Sequence, residues 1–243
     1  MPPAARTLAI ALVTLAGLAA GFLSYRGSYS GASRRDSRPP AASVTTRSPS
    51  PQASSSAAAD PELQGPVGRP IPDTVPDIKL PDLAGQEKSL RDFLGRPLII
   101  NFWATWCAPC RREMPLLEQL RQVYRGDGLR IVGIAVDFRA AVADYVGRRA
   151  VNYPLLIGED QGLAAAEQFG MQTVLPFSVF ADAQGRIIAV KIGEMHRDEA
   201  DYILGAMRAV AAGRLSLPEA HAGIAQRLRE LAVERAKAGV NDS

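Results

Sequence analysis

The sequence predicts one α/β domain built on a mixed sheet with helices on both faces. Three observations lead there. Two continuous apolar runs, Leu98 to Trp103 and Leu129 to Val136, lie on either side of a stretch with helical spacing. A hairpin is marked by the turn Asp182-Ala183-Gln184-Gly185, and a closing segment from Asp198 to Val210 carries one apolar face. Short apolar runs rich in β-branched and aromatic residues read as strands buried on both faces.

In chain order, regular structure is expected from near Pro76. Ile78 to Leu80 and Lys88 to Leu90 flank the turn-like Asp82-Leu83-Ala84-Gly85, which predicts a small hairpin, and a short helical turn ends between Asp92 and Gly95. After the strand at Leu98, a helix is expected from Ala108 to Tyr124, with Met114, Leu117, Leu120 and Tyr124 facing a core and Pro115 predicting a kink. The strand from Leu129 is followed by a helix over Ala140 to Arg149, a short strand over Tyr153 to Ile157 and a short helix over Gly162 to Phe169. Strands at Phe177 to Ala181 and Arg186 to Ile192 form the hairpin. In the closing helix Ala200, Ile203, Leu204, Met207 and Val210 share a face. Beyond the break at Pro218, Ala220 to Ala238 reads as an amphipathic helix that packs on the domain, binds a partner or stands in solvent.

The region ahead of the domain is of another kind. Thr7 to Leu23 is an apolar and small-residue run preceded by Arg6, the pattern of a secretory signal or a membrane anchor. Its length of about 17 residues is at the lower limit for a span. The uncleaved anchor is the favoured reading, with cleavage after Ala19 as the alternative. Arginines are denser after the run than before it, against an exported orientation on the positive-inside rule, although large domains translocate regardless of local charge. From Ser24 to Gly68 the chain is rich in Ser, Ala, Pro, Gly and Arg and reads as a tether unable to bury a core. The expected organisation is therefore 1–23 anchor or signal, 24–68 tether, 69–212 domain and 213–243 helical tail. The formal net charge of +3 is no mark of a nucleic-acid binder, because many of the arginines lie in the tether and no basic face is interleaved with aromatics.

Cysteine usage narrows the chemistry. The chain has two cysteines and two histidines. That is too few cysteines for a secreted disulfide scaffold, and His196 and His221 lack metal-type spacing, so no metal site is expected. Cys107 and Cys110 lie between a buried strand and a helix start, in Asn101-Phe102-Trp103-Ala104-Thr105-Trp106-Cys107-Ala108-Pro109-Cys110. Unpaired N–H groups and the macrodipole at a helix N-terminus favour a thiolate, which makes Cys107 the expected nucleophile. Cys110, one turn deeper, is the expected resolving thiol. Pro109 stiffens the pair, and Trp103 and Trp106 are expected to form an apolar rim against which a substrate packs.

On this string the sequence resembles the thioredoxin superfamily, and within it the membrane-anchored TlpA/ResA-type thiol–disulfide oxidoreductases. The resemblance covers about Pro70 to Val210 and implies a thioredoxin-like fold, a mixed central sheet flanked by helices, with an N-terminal hairpin extension at Asp73 to Leu94 and an inserted helix near Gly162. Pro115 matches the superfamily's helix proline. Pro176 matches its cis-proline, whose loop, with Leu175, faces the cysteines and contacts substrate. Asn101 stands where classical thioredoxins carry a buried aspartate, and Glu113 matches the carboxylate that this branch uses instead, three residues beyond Cys110. The site implied is Cys107, Cys110 and Glu113 for catalysis, with Trp106, Pro109, Leu175 and Pro176 on the substrate side.

The function implied is disulfide reduction outside the cytoplasm, with the redox-active disulfide as the only cofactor. No histidine lies between the cysteines, where strongly oxidising relatives commonly carry one. The implied partners are protein disulfides, apocytochrome c among them, and an integral-membrane thiol donor of the CcdA or DsbD type. The implied location is the bacterial inner membrane with the domain on the periplasmic side, or the periplasm after cleavage. A peroxiredoxin-type peroxidase needs proline and threonine where Ile100 and Ala104 stand. A non-catalytic binding protein or metallochaperone on the same scaffold is the other alternative.

Overall fold

A computed structural model describes residues 70–172 and 174–241. The expected anchor and tether therefore lie outside the described residues. Among the described residues no helix is long and apolar enough to cross a membrane.

A two-stranded hairpin, β1 (Lys79–Pro81) and β2 (Glu87–Ser89), is followed by a 3₁₀ turn at Leu90–Phe93 that Ser89 and Asp92 cap reciprocally. The main sheet comprises β3 (Leu98–Trp103), β4 (Arg130–Ala135), β5 (Leu155–Ile157), β6 (Phe177–Ala181) and β7 (Ile187–Ile192), in the order β5-β4-β3-β6-β7. The β3–β4 and β4–β5 pairs are parallel; β3–β6 and β6–β7 are antiparallel. The helices are α1 (Ala108–Val123), α2 (Arg139–Gly147), α3 (Asp160–Gln168), α4 (Arg197–Ala211) and α5 (Leu217–Asn241). Each expected strand and helix is present, with ends shifted by a few residues, as fraying and capping dictate.

Alternation along β3 divides the core. Ile99 and Trp103 face a cluster that takes Cys110, Met114, Leu117 and Leu120 from α1 and Ala200, Ile203, Leu204 and Met207 from α4. Leu98, Ile100 and Phe102 face the other side, which is covered by Val75, Ile78, Leu80 and Leu90 of the N-terminal extension and by Ala165 and Ala166 of α3. The extension thus does on this face what longer helices do on the other. Phe102 stacks on Phe177 at 4.2 Å between ring centroids, with Phe169 edge-on at 5.6 Å.

Two glycines permit this packing. A Cβ on Gly133 would come within 2.7 Å of Leu155 Cδ2 and 3.1 Å of Trp103 Nε1, so glycine is what lets these two side chains pack against β4. Gly185 closes the β6–β7 turn at φ +82°.

The C-terminal helix packs on the domain, which decides among the three fates open to it in the sequence. Ala220 and Ile224 are buried in the same cluster as α1 and α4, Leu228 packs against it, and Leu231 is also buried. His221 Nε2 lies 3.2 Å from the carbonyl of Ile187, so α5 also shields the edge strand β7.

Candidate active site

Strands β3 and β4 run parallel, so their C-terminal ends emerge together, and the chemistry-bearing residues lie at that end. Past Trp103 the chain turns, with Cys107 N–H donating to the Ala104 carbonyl at 3.2 Å. The turn is held from β4's side. Asp137 accepts from Thr105 N–H at 2.8 Å and Thr105 Oγ1 at 2.6 Å through one oxygen, and from Phe138 N–H at 2.8 Å through the other. Arg111 Nη1 donates to the Thr105 carbonyl at 2.8 Å.

Cys107 is the N-cap of α1, extended at φ −80° and ψ 106°. Its sulfur accepts from Cys110 N–H at 3.3 Å, an orphan helix donor aimed at the sulfur that would carry thiolate charge. Cys107 and Cys110 form a disulfide with their Cα atoms 5.3 Å apart. Cys107 is 6% exposed and Cys110 is fully buried, the asymmetry that an attacking and a resolving sulfur require. Pro109 is half-buried in the first turn, where its missing N–H leaves no helix bond unmade.

Glu113, one turn beyond Cys110, is 2% exposed. Its Oε1 accepts from Asn101 Nδ2 at 2.7 Å, and its Oε2 from the Met195 backbone N–H at 2.8 Å. Asn101 Nδ2 also donates to Ser178 Oγ at 3.0 Å. Loss of hydration pushes the Glu113 pKa up from 4.5 to about 7. The Met195 and Asn101 hydrogen bonds oppose this, nearby Glu194 adds to it and Lys191 counters. Glu113 can therefore exchange a proton near neutrality.

The Leu175–Pro176 bond is cis. Phe102 pairs with Phe177, so this segment leaves the sheet at the same end as the cysteine turn. Pro176 is buried, its carbonyl accepting from Gly193 N–H at 2.9 Å, and Leu175 is half-buried against the cluster that holds Cys107.

Trp106 is 67% exposed beside Cys107, whereas Trp103 is fully buried, so the expected rim of two tryptophans has one. Trp103 is the last residue of β3, which is buried on both faces, and the continuous apolar run in the sequence already carries that signal. Phe138, 63% exposed next to Asp137, is an aromatic at this end of the sheet that sequence reasoning missed. Asp137 itself was missed, although its place just beyond a parallel strand's C-terminal end is a signal. Among the described residues no three His, Cys, Asp or Glu side chains cluster as a metal site would need.

The redoxin family model matches residues 68–204. The thiol-disulfide oxidoreductase ResA of Geobacillus kaustophilus is 30% identical over 136 residues, 56% of this chain and 76% of that one. The ResA of Geobacillus thermodenitrificans is 34% identical over 128 residues, 52% of this chain and 71% of that one. A crystal structure from Chlorobium tepidum assigned as a thiol:disulfide interchange protein DsbE superposes with a TM-score of 0.51 at 22% identity, over 58% of this chain and 96% of that one, and speaks for the fold. The chain belongs to the redoxin family and is a ResA-type thiol–disulfide oxidoreductase of the thioredoxin superfamily.

Proposed function

We propose that the chain is a protein-disulfide reductase that works outside the cytoplasm, tethered by its N-terminal segment. The observation that carries this reading is the buried Glu113, held by neutral donors one turn behind a disulfide whose outer sulfur caps a helix. In the reduced enzyme, the Cys107 thiolate attacks one sulfur of a client disulfide. A mixed disulfide forms, and the client's other sulfur leaves and takes a proton from solvent. Glu113 then accepts the proton of Cys110, and the Cys110 thiolate attacks Cys107 Sγ. The Cys107–Cys110 disulfide closes, and the second client sulfur leaves and is protonated in turn. Two electrons have passed to the client. Trp106, Pro109, Leu175 and Pro176 border the position where the client sulfur must sit.

A membrane thiol donor of the CcdA or DsbD type would return two electrons and two protons to the disulfide. Apocytochrome c, whose cysteines must be reduced before haem attachment, fits as a client. The resemblance and the apolar run at Thr7 to Leu23 support this placement.

Equilibration against a thiol–disulfide series tests the direction. A potential near that of thioredoxin, about −270 mV, is expected. One near about −120 mV, at the oxidant extreme, would overturn the reductase reading. Cys107→Ser should abolish insulin reduction, and Cys110→Ser should trap clients as mixed disulfides. Protection of the domain from protease in spheroplasts would refute the exported orientation.

A further inference from the structure

Residues 193–196, between β7 and α4, form a short bend that carries the Met195 N–H on which Glu113 depends. A single backbone donor holds a carboxylate only if the bend itself is fixed. Two tethers fix it. Glu194 meets Arg112 of α1, with Nε at 3.0 Å from both carboxylate oxygens, on a surface open to solvent. At the other end Glu199, in the first turn of α4, accepts from His196 N–H at 2.9 Å.

Glu199 differs from an ordinary capping-box glutamate. Such a residue usually lies at the surface, where water completes its shell; Glu199 is 2% exposed. Inside, it is compensated by a salt bridge to Arg235 of α5, by Lys191 Nζ of β7 at 3.6 Å and by His196 Nδ1 at 3.3 Å. Arg235 also reaches Asp198 at 3.1 Å. The apolar docking of α5 through Ala220 and Ile224, with Leu231 buried further along, places Arg235 one turn beyond Leu231, above the start of α4. Helix α5 begins at Leu217, past residue 204, where the redoxin match ends.

We propose that α5 is a latch on the active site in which Arg235 is a positioning residue: through Glu199 it fixes His196 and Met195, and with them the N–H that holds Glu113 behind the disulfide. The proposal rests on Glu113 being the proton partner of Cys110. Facing Glu113 are Asn101 of β3 with Ser178 of β6 behind it, Lys191 of β7, Glu194 and Met195 of the bend, and Tyr153 ahead of β5. Facing Glu199 are Lys191, His196, Asp198 and Arg235. Without Arg235, Glu199 keeps Lys191 and His196, and the bend loosens. Met195 N–H then spends less time on Glu113, and losing a bond to the charged form favours the protonated one.

The test is the pH profile of disulfide exchange at Cys107–Cys110 in the full chain. Wild type is compared with Arg235→Ala, Arg235→Lys, Glu113→Gln and the double variant Arg235→Ala/Glu113→Gln. The profile of Arg235→Ala should move to higher pH by about half a unit or more. Arg235→Lys should return toward wild type, and Arg235→Ala should shift nothing once Glu113 is Gln. If Arg235→Ala does not fold, Arg235→Gln, which keeps part of the stem and a neutral amide donor, carries the same comparison. An unmoved profile in the Arg235 variants, with Glu113→Gln altering it, overturns the latch alone, as does an equal shift in both backgrounds. A Glu113→Gln profile identical to wild type overturns the proton role beneath it.

Discussion

Glu113 and Glu199 are each 2% exposed, yet their partners are of opposite kinds. Glu199 meets Arg235, Lys191 and the His196 N–H; Glu113 meets an asparagine amide and a backbone N–H. Lys191 is near both, but it grips Glu199 and influences Glu113 only from a distance. A buried carboxylate compensated by cations anchors what is bonded to it. One left with neutral donors keeps most of its desolvation and gains and loses a proton where exchange chemistry runs. The partners, not the depth, set these two acids apart.

The largest effect is expected where the cations are left behind. Glu199→Ala removes the acceptor for His196 N–H and leaves Lys191 without its carboxylate, while Arg235 keeps only the more exposed Asp198. Breaking such a buried network should destabilise the domain by about 4 kcal/mol, read from urea midpoints. A loss near zero would mean that Glu199 is an ordinary helix cap, and the contrast with Glu113 would fail.

How much of this contrast can be read in the sequence differs for its two halves. The cysteine pair and its place at a helix start follow from local pattern, because strand, turn and helix are consecutive there, whereas Glu113 is singled out by the resemblance to the TlpA/ResA branch and not by its local spacing. That Glu113 is buried rather than on a solvated helix face does not follow locally. It depends on Asn101 of β3 and on the bend at 193–196 closing over it. Glu199 is less legible still. In Asp198-Glu199 it looks like the usual acidic first turn of a helix, and its partner Arg235 lies in a tail whose packing the sequence leaves open. Trp103 shows the same limit. Its neighbourhood to the cysteines suggested a rim, and its place at the end of a strand buried on both faces put it inside.

A somewhat smaller effect, of opposite sign, is expected at Glu113. Its pKa is about 7 in the folded chain against an ordinary 4.5. Below pH 4.5 the carboxyl is protonated in both states and its burial carries no charge penalty. Between pH 4.5 and about 7 the unfolded chain ionises first, so stability falls as pH rises. The loss over that window is about 3 kcal/mol, complete above the folded pKa. Glu113→Gln should lack this slope and be more stable than wild type above neutrality. The amide fits, because Asn101 Oδ1 has no hydrogen-bond partner among the described residues and an amide flip at Asn101 would let it accept from the new side chain. Oxidised wild type and variant, unfolded in urea at a series of pH values, provide the comparison; parallel curves would show that Glu113 does not titrate in this range.

The smallest effect is expected at the other tether of the same bend. Arg112 and Glu194 have near-ideal forked geometry, but the arginine side chain is 61% exposed. Water already solvates it, and holding two long side chains in one arrangement costs entropy that offsets most of the attraction. Arg112→Ala should therefore move the urea midpoint barely, and added salt should erase what little shift there is. The Glu199 network, whose carboxylate is buried and whose Lys191 is nearly so, should keep more of its contribution in the same salt. Measuring both variants at low and high ionic strength separates the contributions of the two tethers. If Arg112→Ala proved as costly as Glu199→Ala, and equally insensitive to salt, the bend would be held chiefly from α1, and the weight placed on the buried pair would have to move there.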